Sequence, residues 1–374
     1  MLNVLMLARM PLMASTYHRL RARRGAFVRG VAATAAALAG MALCTGPAGA
    51  STLVIEGAGD GHGVGMSQDG AYGLAIHGAS YQAILAHYYT GTTIGQVPAK
   101  AVIRVLEGSR VVKVPLERYV RGVVSAEMPS SWPLPALEAQ AIASRSYALT
   151  SHAGGSRFDV YSDTRSQVYE GVAAETAATN AAVNDTTGQI VLYDGQPAAT
   201  YFFASSGGMT ENIENSFLGS QPEPWLHGVA DPYEGKASSW KLSMSFTAAA
   251  SRLGGLVKGS FRGIEVLARG VSPRIVSAKI LGSRGTTPVT GPQLAEAFGL
   301  SSTWAYFSVK SGATIKREPD HSGNAPVPSP PASPPASPPA SPPAPPAPAP
   351  GPQGGAQAPA AAANTSTTGG AAAG

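Results

Sequence analysis

The chain has 374 residues, enough for one large domain or two ordinary ones, with 44 glycines, 31 prolines and only 13% charged residues. Its formal charge is +5, but Arg9, Arg19, Arg21, Arg23, Arg24 and Arg29 crowd into the first 50 residues, where no acid occurs; without these six, 21 basic and 22 acidic side chains remain. From Ser51 onward there is therefore no electrostatic case for binding nucleic acid.

In chain order, residues 1–50 read as a signal peptide. An arginine-rich start precedes the apolar run GVAATAAALAGMALC and then Ala48-Gly49-Ala50, an A-x-A cleavage pattern. The 15-residue run is short for a membrane span of about 20 residues. Export with cleavage after Ala50 is expected, leaving no stable membrane span, and Met13 is a possible alternative start. Arg23-Arg24 hints at twin-arginine export. The single cysteine, Cys44, lies in this leader, so the remaining chain holds no disulfide and no thiolate metal site.

Residues 51–100 form a glycine-rich segment. Gly57, Gly59, Gly61, Gly63 and Gly65 recur at every second position, leaving one strand face bare and inviting close approach by a ligand or another strand. No G-K-[ST] follows, so this is not a phosphate loop. Ser67 and Ser80 are placed to cap short helices over 68–77 and 81–89. Residues 101–114 read as a hairpin turning at 107–110.

The next stretch, PLERYVRGVVSAEMPSSWPLPALEAQAIASRSYALTSH (115–152), carries the candidate chemistry. Leu116, Tyr119, Val120, Val123 and Val124 fall on one helical stripe, and Glu127 continues it. Pro129 disfavours helix in the residue before it, so the helix ends near Met128. Ser130 or Ser131 can then cap a second helix, over 136–150. Glu127 is expected at the elbow between the two. One reading has it sheltered, where burial raises a carboxyl pKa and suits it to general acid chemistry. The other has it at a helix end facing water.

Beyond the elbow, 158–171 reads as extended, 175–184 as a helix and 188–204 as a second hairpin turning at Asp194-Gly195. Residues 205–211 form a tight polar turn, 264–281 more strand, and 291–299 a last helix. From 318 the chain is low-complexity, PSPPASPPASPPASPPAPPAPAP, expected as a disordered polyproline spacer and tail. His62, His77, His87, His152 and His227 show no zincin spacing, and Ser205 and Ser206 lack the G-x-S-x-G elbow of a serine hydrolase.

Four blocks, GHGVGMSQDGAYGLAIHGASYQAILAHYYTGT (61–92), RYVRGVVSAEMPSSWPLPALEAQAIASRSYAL (118–149), SQVYEG (166–171) and ASSGGMTEN (204–212), together resemble the SpoIID/LytB family. The resemblance implies a bacterial cell-wall protein of α+β class, with mixed sheets, short helices and a catalytic glutamate at the helix–helix elbow. Residues 101–317 would be its catalytic domain.

It also implies a lytic transglycosylase, a lyase acting on peptidoglycan glycan strands, secreted to the cell envelope and working without a cofactor. Glu127 falls on the family's catalytic position in "AEMP". Arg145 and Tyr147 match its "ARTYA"-like stretch and would line the groove, Arg145 against substrate oxygens and Tyr147 against a sugar ring. Tyr201, Ser205, Ser206, Gly207 and Gly208 would supply donors to acetamido groups. The competing implication is a non-catalytic glycan binder that modulates a cell-wall amidase.

There are two departures. Ser162, Arg165 and Ser166 occupy positions where some members place zinc ligands, so no metal is expected. The GHGVGMSQ block here precedes Glu127 instead of following it, so no role is carried over to His62.

Overall fold

The computed structural model describes residues 51–98, 100–234, 238–311 and 314–317. The expected leader and proline-rich tail lie outside them. Among the described residues no helix is long and apolar enough to cross a membrane. The architecture is α+β: small sheets and short helices gathered around two apolar cores.

The chain enters on β1 (Thr52–Ala58), whose Leu53, Val54 and Ile55 are all at most 2% exposed, as suits a central strand covered on both faces. It then passes through β2 (Met66–Ser67), α1 (Gln68–Ile76), α2 (Tyr81–Tyr88) and β3 (Thr93–Gln96). Both expected serine caps form: Ser67 Oγ accepts from Gly70 N at 3.0 Å and Ser80 Oγ from Ala83 N at 3.3 Å. The expected hairpin is β4 (Val102–Glu107) with β5 (Arg110–Pro115).

α3 (Leu116–Glu127) buries Leu116, Tyr119, Val120, Val123 and Val124 on one face. It stops where Met128 turns extended before Pro129. α4 (Leu134–Thr150) follows. Here the expected serine cap is corrected, because Pro133 takes the N-cap position with no side-chain bond and Ser130 and Ser131 are exposed. The small side chains Ala139, Ala141, Ala143, Ser144 and Ser146 let α4 run through the first core buried on most sides.

Of the segment 158–171, only β6 (Val160–Tyr161) is strand; the rest is bend, turn and irregular chain, with Gly171 opening a short 3-10 helix. The helix after it is α5 (Ala177–Asp185), capped by Thr176. β7 (Gln189–Tyr193) and β8 (Gln196–Pro197) form the second hairpin, but its expected extent to Ala204 is corrected. The last bond of the hairpin is Ala198 N to Val191 O at 3.0 Å, and β9 (Phe202–Phe203) instead pairs in parallel with β2. A short α6 (Ile213–Ser216) follows.

The second core lies among two sheets and two helices. β10 (Ser239–Ser245), α7 (Phe246–Leu253), β11 (Phe261–Arg269), β12 (Ile275–Gly282), β13 (Gly285–Thr290), α8 (Gly291–Phe298), β14 (Ala305–Ser311) and β15 (Thr314–Arg317) complete the chain. The sheet orders are β10–β1–β14–β15 and β11–β12–β13. The glycine-rich segment thus contributes a central strand to one core and β2 to the other.

Between β1 and β2 the chain does not continue as a strand. Gly59, Gly61, Gly63 and Gly65 all have positive φ, and the close approach expected there is made by the protein itself. A Cβ on Gly63 would sit 2.5 Å from the Arg274 guanidinium. Arg274 is 1% exposed and donates to Met209 O at 3.0 Å and Ser206 O at 3.1 Å. Beside it, fully buried Glu211 accepts from Val271 N, Ser272 N and Asn215 Nδ2 at 2.9–3.1 Å. Desolvation lowers the Arg274 pKa to about 10, partly opposed by the charges of Glu211 and Glu234. These bonds tie the 205–212 turn to the β11–β12 connection.

Two alanine substitutions separate backbone strain from this packing. Gly63 and Gly78 have nearly equal φ, +88° and +87°, but nothing lies within 4 Å of a Cβ on Gly78. Gly78→Ala should cost only the strain, about 1 kcal/mol. Gly63→Ala should cost about 3 kcal/mol or more, because strain and overpacking add. Urea unfolding of both variants reads the difference, and equal losses would contradict the packing account.

Candidate functional site around Glu127

Glu127 closes α3 at the elbow and is partly buried. Its carboxylate is gripped from two distant segments. Oε1 accepts from Val168 N at 2.7 Å, and Oε2 accepts from Gln68 Nε2 at 3.3 Å. Each donor is itself anchored. Gln167 Nε2 donates to Ser144 O on α4 at 3.1 Å, which aims the next N–H at Glu127. Gln68, 4% exposed at the start of α1, also donates to Gln140 Oε1 at 3.4 Å. Gln140 Nε2 in turn donates to Ser144 Oγ at 2.9 Å. Buried polar groups are stable only when satisfied, so this ladder holds three of the four sequence blocks in one place.

Aromatic rings pack beside it. Tyr169 stacks on Tyr119, with centroids 5.0 Å apart and planes at 28°. Tyr147, partly buried on α4, meets Tyr201 edge-on at 5.8 Å. The phenols of Tyr119 and Tyr147 are pushed up in pKa, first by burial; the negative charge of Glu127 adds to the rise in both. Tyr201 also meets Phe217 and His62. His62 accepts from Val64 N at Nδ1 and bonds Phe202 O through Nε2, which sets its tautomer. Burial, then the charge of Arg274, lowers its pKa to about 3, so the ring is neutral and structural in character.

The expectation for Arg145 is corrected. Its side chain is fully buried, and its guanidinium is used within the protein: Nε and Nη2 grip Glu117 Oε1 and Oε2 at 2.9 and 2.7 Å, and Nη1 donates to Gln189 O at 2.9 Å. Glu117 Oε1 also accepts from Gly188 N at 3.1 Å. This bidentate pair registers α3, α4 and β7, and no donor of Arg145 faces a groove.

The Ser205–Gly208 turn is also spoken for. Ser206 N and Gly207 N donate to Glu234 at 2.7 and 3.0 Å, and the hydroxyls of Ser205 and Ser206 bond the same carboxylate. Gly208 N turns back to Ser206 Oγ at 2.9 Å. The expected acetamido donors thus form a carboxylate nest filled from within the chain. Ser67 Oγ reaches Glu234 Oε2 at 3.5 Å, so the nest lies one residue from Gln68. Among the described residues, no three His, Cys, Asp or Glu side chains are grouped to hold a metal ion. Arg165 pairs with Asp163, and Ser166 Oγ accepts from Tyr161 N.

Sequence reasoning missed the donors of Gln68 and Val168, although both lie inside the family-like blocks, and missed Glu234 and Asp231 entirely. Asp231 is 1% exposed and accepts from Ser206 Oγ at 2.9 Å. Burial, then the charge of Glu234, pushes its carboxyl from 3.8 up to about 7. Between these values the native state holds a proton that the unfolded chain has released, so this contribution to stability falls as pH rises through that window. Asp231→Asn should therefore raise the unfolding free energy at pH 8 by about 1–3 kcal/mol and change it little at pH 4. Urea unfolding at the two pH values checks this, and equal effects would contradict it.

Part of this sequence is shared with known proteins. The model of the family described as Stage II sporulation protein, SpoIID, matches residues 107–193, which include Glu127, Arg145 and Val168. The chain is 31% identical over 208 residues to Stage II sporulation protein D of Bacillus subtilis, covering 50% of this chain and 59% of that one. It is 33% identical over 126 residues to a Bacillus subtilis protein named Amidase enhancer, covering 34% and 17%. An uncharacterized Brachyspira hyodysenteriae protein is 41% identical over 123 residues, 32% and 31% of the two chains. The chain thus spans less than two thirds of each of these relatives. These matches, which fall on both sides of the elbow around Glu127, support a likeness of this part of the chain to the SpoIID/LytB family.

Proposed function

We propose that the protein is a lytic transglycosylase of the cell envelope, cutting peptidoglycan glycan strands with Glu127 as its only acid/base. The observation that carries the reading is the grip on Glu127: a backbone N–H and a buried amide fix a partly exposed carboxylate at the elbow. Holding a proton-transfer group in a single orientation is a large part of such catalysis.

The chemistry balances with one carboxyl group. Protonated Glu127 gives its proton to the glycosidic oxygen between N-acetylmuramic acid and N-acetylglucosamine as the C1–O bond breaks. The carboxylate left behind takes the proton of the C6 hydroxyl while that oxygen closes on C1. A 1,6-anhydro ring results, no water is consumed, and Glu127 is protonated again. Ordinary glycosidases need a second carboxylate to activate water or attack C1; here the substrate brings its own nucleophile. The exported location and a wall-spanning role for the residues from 318 onward belong to the same proposal.

A second reading is favoured by the likeness to the protein named Amidase enhancer. The same site would then hold glycan and assist a cell-wall amidase without cutting.

Mass spectrometry of purified glycan strands after digestion separates the two. Wild type should release anhydro-muramyl ends, and Glu127→Gln should lose at least about 1,000-fold in rate with its fold intact. Anhydro products persisting in Glu127→Gln would overturn the role of this residue. Binding without cleavage by wild type, together with a faster amidase, would favour the second reading. Gln68→Leu removes the amide grip and should lower kcat about 10- to 100-fold with KM little changed; steady-state kinetics on the same strands check it.

A further inference from the structure

We propose that Tyr72 and Trp132 form a sugar-stacking subsite next to Glu127, taking a pyranose ring of the glycan strand. This inference rests on the glycan reading above and names where a neighbouring sugar binds. Tyr72 lies on α1 four residues after Gln68, so the two share a helix face one turn apart. Trp132 lies in the elbow, its backbone N–H donating to Pro129 O at 3.0 Å. The two rings meet with centroids 5.0 Å apart and planes at 44°. Both segments that carry the pair therefore also build the Glu127 site, one through Gln68 and the other by following Glu127 directly.

One ring of the pair is exposed and the other half-buried. Tyr72 is 37% accessible, and Ile76, four residues further along α1, and Leu134 beside the elbow are 54% and 43% accessible. Trp132 is partly buried and rests against the first core, which holds its ring in position. Two other indoles donate inward, Trp225 to Ala199 O at 2.8 Å and Trp240 to Gly59 O at 3.0 Å.

The chemistry fits a sugar. A pyranose presents a C–H face rimmed by hydroxyls, and an aromatic ring with a polar edge offers apolar area and a hydrogen bond together. Continuity with the candidate acid makes the occupant the strand being cut. Aromatic anchors of this kind hold orientation in binding clefts.

The test uses full-length Glu127→Gln protein, which should bind without cutting, and peptide-free glycan strands. Calorimetry should show affinity falling about tenfold in Tyr72→Ala and in Trp132→Ala, each combined with Glu127→Gln. Trp132→Phe should keep most of the affinity but lose the glycan-induced change in tryptophan emission. If Trp132→Ala fails to fold, the exposed Tyr72→Ala and the Trp132→Phe emission decide between the outcomes.

Unchanged affinity in Tyr72→Ala and an emission change surviving in Trp132→Phe would overturn the subsite and leave the lytic reading standing. Trp132-dependent binding by a wild type that never cleaves would support the subsite and overturn the lytic reading. Absence of any glycan binding would overturn both.

Discussion

Two hydrogen bonds to one carboxylate organise this protein. Val168 N and Gln68 Nε2 reach Glu127 from 41 and 59 residues away in the chain, and neither donor can arrive alone. The first needs Gln167 locked to α4. The second needs β2 paired to β9, so that α1 starts beside the elbow. The pair of partly exposed Glu117 with fully buried Arg145 also fixes α3 on α4, because it joins the first turn of one helix to the body of the other. Such a pair is expensive to break from the Glu117 side, since the fully buried Arg145 guanidinium would lose its counter-charge. The carboxylate is thus held by packing, and its exposure is a consequence of where α3 stops.

Local rules written into the residues were legible. The apolar stripe on α3, the proline that ends it, the capping serines of α1 and α2, the hairpin turn at 107–110 and the final helix all follow from short-range chemistry. What escaped depends on partners distant in sequence. Arg145 on a helix can face a groove or a carboxylate, and only the fold brings Glu117, 28 residues earlier, to meet it. The alternating glycines announced a close approach, but whether by ligand or chain could not be told until Arg274 and Tyr201 were seen against them. The 205–208 turn was read as a set of donors, and donors they are, yet the acceptor is Glu234.

The glycine-rich block reaches the elbow by a pairing distant in sequence. In this chain it comes before the elbow, and yet Gln68 lands on Glu127. A short parallel pairing, Met66 and Ser67 against Phe202 and Phe203, brings the block to the 201–208 turn. Buried Arg274 and Glu211 then join this turn to the second core. The β-rich second core acts as a frame for the block, and the helical first core carries the candidate acid.

The central claim is that the bond is broken without water, by one carboxyl group and the sugar's own hydroxyl. Digestion of glycan strands by wild-type protein in water enriched in oxygen-18 tests it most directly. The account predicts products free of the label, each ending in a 1,6-anhydro ring. Oxygen-18 at C1 of the muramic acid would show that water is the nucleophile and would contradict it.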